Sequence, residues 1–406
     1  MGGKMTKSKR LMLLGGIRYL LPVIKAARDQ GCRVITADYL PDNIAHRYSD
    51  EYVNVNIVDK EAVLAAAREK RIDGILSFGV DPGVVSAAYV QEQMGLPACG
   101  PYASVEILQN KDKFRKFLAD NGFNVPKAWA FFSLEEALNG LSGIGYPVIV
   151  KPTDSAGSKG VTRVDRREDL EPALVHAFER SIKGRVIVEE FIEVIGCPSD
   201  TDGFSVDGRL VFIDFNAQWF DAGAPNPYTP AAFSWPSTFT KEQEDYLAAE
   251  IQRLITLLGM KTGLYNIETR IGTDGKPYIM ELAPRGGGNR LCEMIRYATG
   301  VDLISAATRA AVGDTIPEIG QRPYNGHWAE IILHAQDDGI FDGIEIDPSL
   351  SAEVVERDLW VEKGDRVEAF NGANNAIGTL VLRFDTAEPL EQAITRQCDW
   401  LEVRIH

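Results

Sequence analysis

Cysteine and histidine are both scarce. Among 406 residues there are five of each. The cysteines (Cys32, Cys99, Cys197, Cys292, Cys398) are scattered, with no CxxC pair and no Cys/His spacing of a zinc site. That excludes a disulfide framework and a structural zinc, and it points to reduced thiols in a cytoplasmic protein. Cys32 and Cys99 lie in apolar stretches and are expected in the core. The histidines (His46, His176, His327, His334, His406) form no metal pair, and His334 is expected to be structural. No run approaches the ~18 apolar residues that span a bilayer. The start, MGGKMTKSKRLMLLGG, has the basic-then-apolar order of a signal peptide. Its apolar run is too short and no small-residue cleavage site follows, so a loose tip before a buried strand is expected. Positive charge is short as well. Lys and Arg total 43 against 58 Asp and Glu, a net charge of −15. This argues against nucleic-acid and anionic-membrane partners. GxGxxG, the P-loop pattern GxxxxGK[ST], internal repeats and low-complexity linkers are also missing.

What is present is an ordinary globular balance, 45% hydrophobic and 25% charged, which excludes a disordered chain. At ~150 residues per domain the length implies two to three domains. Short apolar strands at Leu11–Gly15, Arg33–Ala37, Val53–Val55 and Gly74–Phe78 alternate with helical patterns at Tyr19–Gln30, Lys60–Lys70 and Asp81–Met94. This predicts parallel βαβ units in a Rossmann-like open sheet. A basic helix follows from Asn110. Strands at Tyr146–Pro152 and Arg185–Ile192 come next, then hairpins turning at Asp207-Gly208 and around Asp274-Gly275, with a helix at Lys241–Leu258 between them. Beyond Pro317, short strands and a helix at Pro389–Trp400 predict a small terminal domain.

Four motifs carry chemistry. First, Lys151 ends an apolar strand and leads into DSAGSKG, whose Ser155, Gly157, Ser158 and Gly160 offer a backbone cradle for an anion; an ordinary turn is an even alternative. Second, Asn266 and Glu268 share a strand face, and Glu268 and Glu281 lie at similar distances from the Asp274-Gly275 turn. Two facing carboxylates repel unless a cation lies between them, and hard oxygens suit Mg²⁺. Third, RGGGNR places Arg285 and the backbone of Gly286–Gly288 at the start of an expected helix, Leu291–Thr299, an arrangement that binds anions. Fourth, Val188–Ile192 (VEEFI) ends a strand in acids, suited to a purine edge or simply charged.

In order and spacing these pieces resemble an ATP-grasp enzyme across most of the chain. The resemblance implies an α/β and α+β layout: a Rossmann-like pre-ATP-grasp domain over 1–110, an ATP-grasp domain over 111–317 (lobes about 111–188 and 189–317) and a small β-rich C-terminal domain over 318–406. Lys111 (in NKDK) and Lys151 match the two nucleotide lysines. DSAGSKGV is similar to the loop that closes over phosphates. Glu189, Glu190, Phe191 and Ile192 are similar to the adenine hinge, with either glutamate as the side-chain contact. Glu268 and Glu281 match the metal strands. Ala283 stands where the family's Glu-x-Asn-Pro-Arg has Asn, so a second Mg²⁺ loses an oxygen, and Asn289 is one replacement. Asp202 is similar to a family acid nearer the substrate.

The variant ELAPRGGG, the aromatic Trp219–Pro236 insert and the small terminal domain look most like carboxylate–amine ligases of the L-amino acid ligase type. The synthetase half of carbamoyl phosphate synthetase ranks second. The implied reaction uses ATP and Mg²⁺, with Mn²⁺ as an alternative. It joins a small carboxylate to an amine through an acyl phosphate, with Arg285, Gly287 and Gly288 at the reacting centre. Trp219, Tyr228, Asp202 and Asn289 are substrate candidates, with aromatic packing between lobes an equal account of the insert; Asp202 and Glu293 are candidates for helping the amine. A non-ligating ATP sensor and a dinucleotide oxidoreductase are the rivals. A homodimer stays open.

Overall fold

The computed structural model describes residues 8–153 and 160–406. Near the amino terminus four strands lie in the order Glu51–Asn54, Arg33–Asp38, Arg10–Leu14, Gly74–Ser77, all parallel. Leu11 to Leu14 are fully buried because both sheet faces are covered, which is why this strand reads as an unbroken apolar run. Alternation sorts them. Leu11 and Leu13 pack with Leu20, Val23 and Ile24 beside the helix Leu21–Asp29. Met12 and Leu14 pack with Val63, Ala67, Ala87 and Val90 of the helices Lys60–Lys70 and Val84–Met94. The expected Rossmann-like sheet is therefore present. Its strand order reverses between Arg10–Leu14 and Gly74–Ser77, where such sheets open a crevice.

A second sheet is antiparallel: Ala128–Phe131, Val186–Glu190, Val148–Pro152, Thr162–Val164. Val148, Val150, Val186 and Val188 pack on the helix Leu170–Arg180. The alternate residues Ile149, Lys151, Ile187 and Glu189 take the opposite face. A third sheet runs Arg209–Ile213, Ser199–Val206, Gly263–Ile271, Pro277–Ala283. Its first hairpin turns at Asp207 (φ 49°) and Gly208 (φ 79°), the paired positive φ of a tight two-residue turn. The helix Lys241–Leu257, opened by a Thr240–Gln243 capping box, covers Tyr265, Ile267 and Leu282 on one face. Asn266 and Glu268 are left for the other.

The Trp219–Pro236 segment is not a free insert. Its strands Ala217–Phe220 and Pro230–Trp235 join His327–Leu333, Gly378–Phe384 and Val354–Leu359 in one five-stranded sheet. Phe233 and Trp235 are fully buried there. The helix Ala387–Thr395 covers one face and Leu291–Thr299 the other. Among the described residues no helix is long and apolar enough to cross a membrane.

Candidate active site

The helix Lys111–Asp120 carries Lys111 and Arg115 one turn apart, hence on one face. Lys111 Nζ pairs with Glu281 at 3.2 Å. Arg115 pairs with Glu189 at 2.7 Å, and Lys151 pairs with the same carboxylate at 2.5 Å. Register explains the second contact: Ile149 opposes Glu189 and Lys151 opposes Ile187, so Lys151 and Glu189 are diagonal neighbours. Burial alone would raise the Glu189 pKa, but Arg115 and Lys151 hold it down at about 2. Lys151 is lowered by burial and its cationic neighbours, whereas Glu281 raises Lys111 despite burial.

Arg115 was not among the residues the sequence singled out; its i+4 spacing from Lys111 was the available signal. Glu189 is spent on the two cations, whereas Glu190 is exposed. Phe191 lies under the Arg163 guanidinium, 4.3 Å from ring centroid to carbon, and Ile192 is half-buried beside it. Ser155, Gly157 and Ser158 lie outside the described residues. Gly160, just after them, has φ 74°, and a Cβ there would stand 2.9 Å from Arg180.

Glu189 gives a pH prediction. Its folded pKa lies below the ordinary 4.5, so its stabilisation is complete above about pH 4.5 and is lost as pH falls toward 2. At 1.36 kcal/mol per unit this is roughly 3 kcal/mol. Acid titration of thermal stability is expected to be flatter in Glu189→Gln than in wild type; superimposable acid limbs would refute the assignment.

The third sheet builds a row of acids. Glu268 lies directly opposite Glu281 on one side and Asp200 on the other. The facing pair depends on an irregularity: Thr269 opposes Ile279, and the extra residue Met280 shifts the register so that Glu281 meets Glu268. One rung along, Asn266 stands between Asp202 and Ala283. Its amide donates to Asp200 at 2.7 Å and to Asp202 at 3.3 Å. Burial, then the charge of Glu268, pushes Asp200 up to about 8. Glu268 is held by Arg270 at 2.6 Å. Among the described residues no three His, Cys, Asp or Glu side chains close into a ready metal cage. The two glutamates nevertheless fit Mg²⁺: they are hard oxygen donors on adjacent strands, each balanced by a basic side chain. The carboxamide opposite Ala283 is Asn266, not Asn289. Asn289 instead accepts the Tyr19 hydroxyl at 3.1 Å.

Arg285 is 7% exposed and its fork is filled by Asp81, at 2.7 and 2.8 Å. Its remaining Nη1 donates to the Gly286 carbonyl. Gly286 bridges to Phe78, and the Gly79 N–H donates to the Gly286 carbonyl. The glycine loop thus packs against the chain just beyond the Gly74–Ser77 strand, at the end where such sheets bind ligands. Gly287 N–H donates to Asp202 at 2.9 Å, so it is engaged rather than open as an oxyanion donor. Gly288 faces Tyr19, 3.4 Å from where its Cβ would be. Asp202 also accepts from Cys292 at 2.9 Å. A carboxylate tied to three donors positions the loop and is poorly placed to receive a proton from the amine. For Trp219 the packing account has support. Its indole N–H donates to Ser234, and its ring packs on the terminal-sheet core. Tyr228 is half-buried, within the electrostatic reach of Arg163 and Asp165 of the second sheet.

Residues 144–293 match the family profile described as the ATP-grasp domain. The chain carries an ATP-grasp domain. The matched span holds Lys151, Glu189, Glu268, Glu281 and Arg285, while Lys111 and Asp81 reach this ATP-grasp domain from outside it. The L-amino acid ligase from Bacillus licheniformis superposes with a TM-score of 0.82 at 21% identity, covering 99% of this chain and 100% of that one. The biotin carboxylase domain dimer of Hydrogenobacter thermophilus 2-oxoglutarate carboxylase, in complex with MgADP, ADP and bicarbonate, superposes at 0.73 and 18%, covering 98% and 91%. The carbamoyl phosphate synthase large chain of Clostridium perfringens (strain 13 / Type A) is 25% identical over 301 residues, 73% of this chain and 27% of that one. The chain thus spans about a quarter of the length of these curated relatives. The missed acids had weak signals: Asp200 precedes Asp202 at strand period two, and Asp81 follows a strand at the end where α/β sheets bind ligands.

Proposed function

We propose that the protein is an ATP- and Mg²⁺-dependent, ADP-forming ligase that joins a small carboxylate to an amine. The observation that carries this reading is the facing pair Glu268–Glu281, with Lys111 on Glu281 and Arg285 four residues on in the same chain segment. The full-length likeness to an L-amino acid ligase supports it.

Lys111 and Lys151 hold phosphate oxygens, exchanging carboxylate partners for the nucleotide. Glu190 and the backbone of Phe191 and Ile192 take the adenine edge. Glu268 and Glu281 would hold Mg²⁺, which when bound offsets charge on the phosphoryl oxygens. A substrate carboxylate oxygen attacks the γ-phosphorus, the bond to the bridging oxygen breaks, and ADP leaves. The amine nitrogen then attacks the acyl carbon, the bond from that carbon to the phosphate oxygen breaks, and the proton lost from nitrogen leaves on the departing phosphate. Arg285, steered by Asp81, supplies positive charge where the acyl phosphate forms, and the Gly286–Gly288 backbone packs against it.

The test is a matrix of carboxylates and amines incubated with the full chain, ATP and Mg²⁺, following ADP and the mass of the coupled product. ADP release is expected only when both partners are present. Tight ATP binding with no ADP release from any pair would overturn the ligase and favour a sensor, the reading that the oxygen lost at Ala283 supports.

A further inference from the structure

The helix Lys111–Asp120 fastens the second sheet to the third. Toward the second sheet, Asp112 pairs at 2.6 Å with Arg185, the residue before the strand Val186–Glu190. Toward the third, Lys111 pairs with Glu281 of the strand Pro277–Ala283. Arg115 reaches both at once. It is 4% exposed, and besides the Glu189 carboxylate it holds a backbone group: Nη1 donates to the buried Met280 carbonyl at 2.7 Å.

Met280 is the extra residue where the register shifts between Thr269 and Glu268. A bulge takes its extra residue out of the ladder. The strand is also the outer one of its sheet, with Gly263–Ile271 as its single neighbour. A buried carbonyl in that position needs a partner from another element. A charged donor is the strong choice, since such bonds are roughly twice as strong as neutral ones. What depends on the bulge is the metal pair. Without it Met280 would oppose Glu268, and Glu281 would turn to the face of Ile267, under the helix Lys241–Leu257. Helical spacing makes the two contacts simultaneous. Lys111 and Arg115 lie one turn apart, so the face that sets Lys111 on the Glu281 carboxylate sets Arg115 on the carbonyl one residue earlier. The remaining Nε lies 2.7 Å from Glu189, which also holds Lys151. When Lys151 turns to phosphate, Arg115 stays as counter-ion and no buried carboxylate is stranded. A guanidinium fork serves a carboxylate and a carbonyl together, whereas a lysine is a point charge and would go to the carboxylate.

We propose that Arg115 is a positioning residue for the metal pair: its bond to the Met280 carbonyl holds the bulge that brings Glu281 opposite Glu268, and its contact with Glu189 ties that bulge to the nucleotide lysine Lys151. This deepens the ligase reading and rests on it for the Mg²⁺ that Glu268 and Glu281 would hold.

The experiment is calorimetric binding of ADP to the full chain, with Mg²⁺ and with a chelator in its place. The ratio of the two affinities is the metal gain. Arg115→Lys keeps the charge on Glu189 and gives up the Met280 carbonyl. It is expected to lower the metal gain by about tenfold or more, the usual cost of losing a group that orients a metal ligand, while ADP affinity without Mg²⁺ stays near wild type. Glu189→Gln leaves the Met280 bond in place and is expected to keep the metal gain. Arg115→Met removes both contacts and is expected to lose both effects; if it does not fold, the lysine variant carries the test. A merely structural role would lower the melting temperature and shift both affinities together, leaving their ratio alone. A metal gain in Arg115→Lys equal to that of wild type, or one lost equally in Glu189→Gln, would overturn the positioning role. Wild type without a metal gain would overturn it together with the metal pair. A metal gain that responds as expected, with no ADP release from any carboxylate–amine pair, would overturn the ligase reading alone. ADP release with unaltered Mg²⁺ dependence in Arg115→Lys would overturn the positioning role alone.

Discussion

Glu281→Gln is expected to cut ADP release by about a thousandfold or more, which corresponds to roughly 4 kcal/mol of lost transition-state stabilisation. The side chain keeps its size but loses the charge that, with Glu268, makes a hard oxygen pair for Mg²⁺. The fold is expected to survive. Glu281 is one of three acids on its rung, with Glu268 and Asp200, and its partner Lys111 is 21% exposed, so water reaches the ammonium once the carboxylate is gone. Melting temperature is therefore expected to fall only slightly. Turnover within tenfold of wild type, in protein shown to be folded, would remove Glu281 from the metal role. The Mg²⁺ concentration for half-maximal rate supplies the second readout, because a lost metal ligand raises it and a merely structural change does not.

That rung also shows what could be read from the sequence. Equal spacing of Glu268 and Glu281 about the Asp274-Gly275 turn was visible, and strand period two put Asn266 beside Glu268. The bulge that makes the count work was not visible. Ile271 pairs with Pro277, and continuing that register would bring Met280 opposite Glu268. Only the extra residue restores Glu281. The parallel sheet was legible for a related reason: a strand buried on both faces must be apolar throughout, as Leu11 to Leu14 are.

Long-range pairings left no such trace. Nothing local in Trp219–Pro236 says that Phe233 will oppose Glu330, nearly a hundred residues away, so the aromatics read equally well as substrate contacts. Once the strands join the terminal sheet, Phe233 and Trp235 are core. Glu189 and Glu190 were indistinguishable because both end one strand. Alternation assigns one of them to the face of Lys151, and only the packing of Arg115 says which charge is spent.

Asp81→Asn is expected to destabilise the protein by about 3–5 kcal/mol, more than any surface change, because it leaves a buried guanidinium without its counter-ion. Asp81 and Arg285 lie 204 residues apart, so their bidentate contact is also a long-range tie between the parallel sheet and the glycine loop, beside the Gly286 contacts to Phe78 and Gly79. Two effects separate in the variants. Asp81→Leu with Arg285→Met replaces the pair by apolar groups and is expected to recover much of the stability, since a buried ion pair gives little net gain over good packing. The same double variant is expected to stay inactive, since it restores packing but not the charge beside the acyl phosphate. Denaturant midpoints for the two single variants and the double give the coupling energy, and ADP release gives the catalytic part. A midpoint for Asp81→Asn equal to wild type would mean that water or another group already satisfies Arg285, and the pair would then be positioning the loop without holding the domains together.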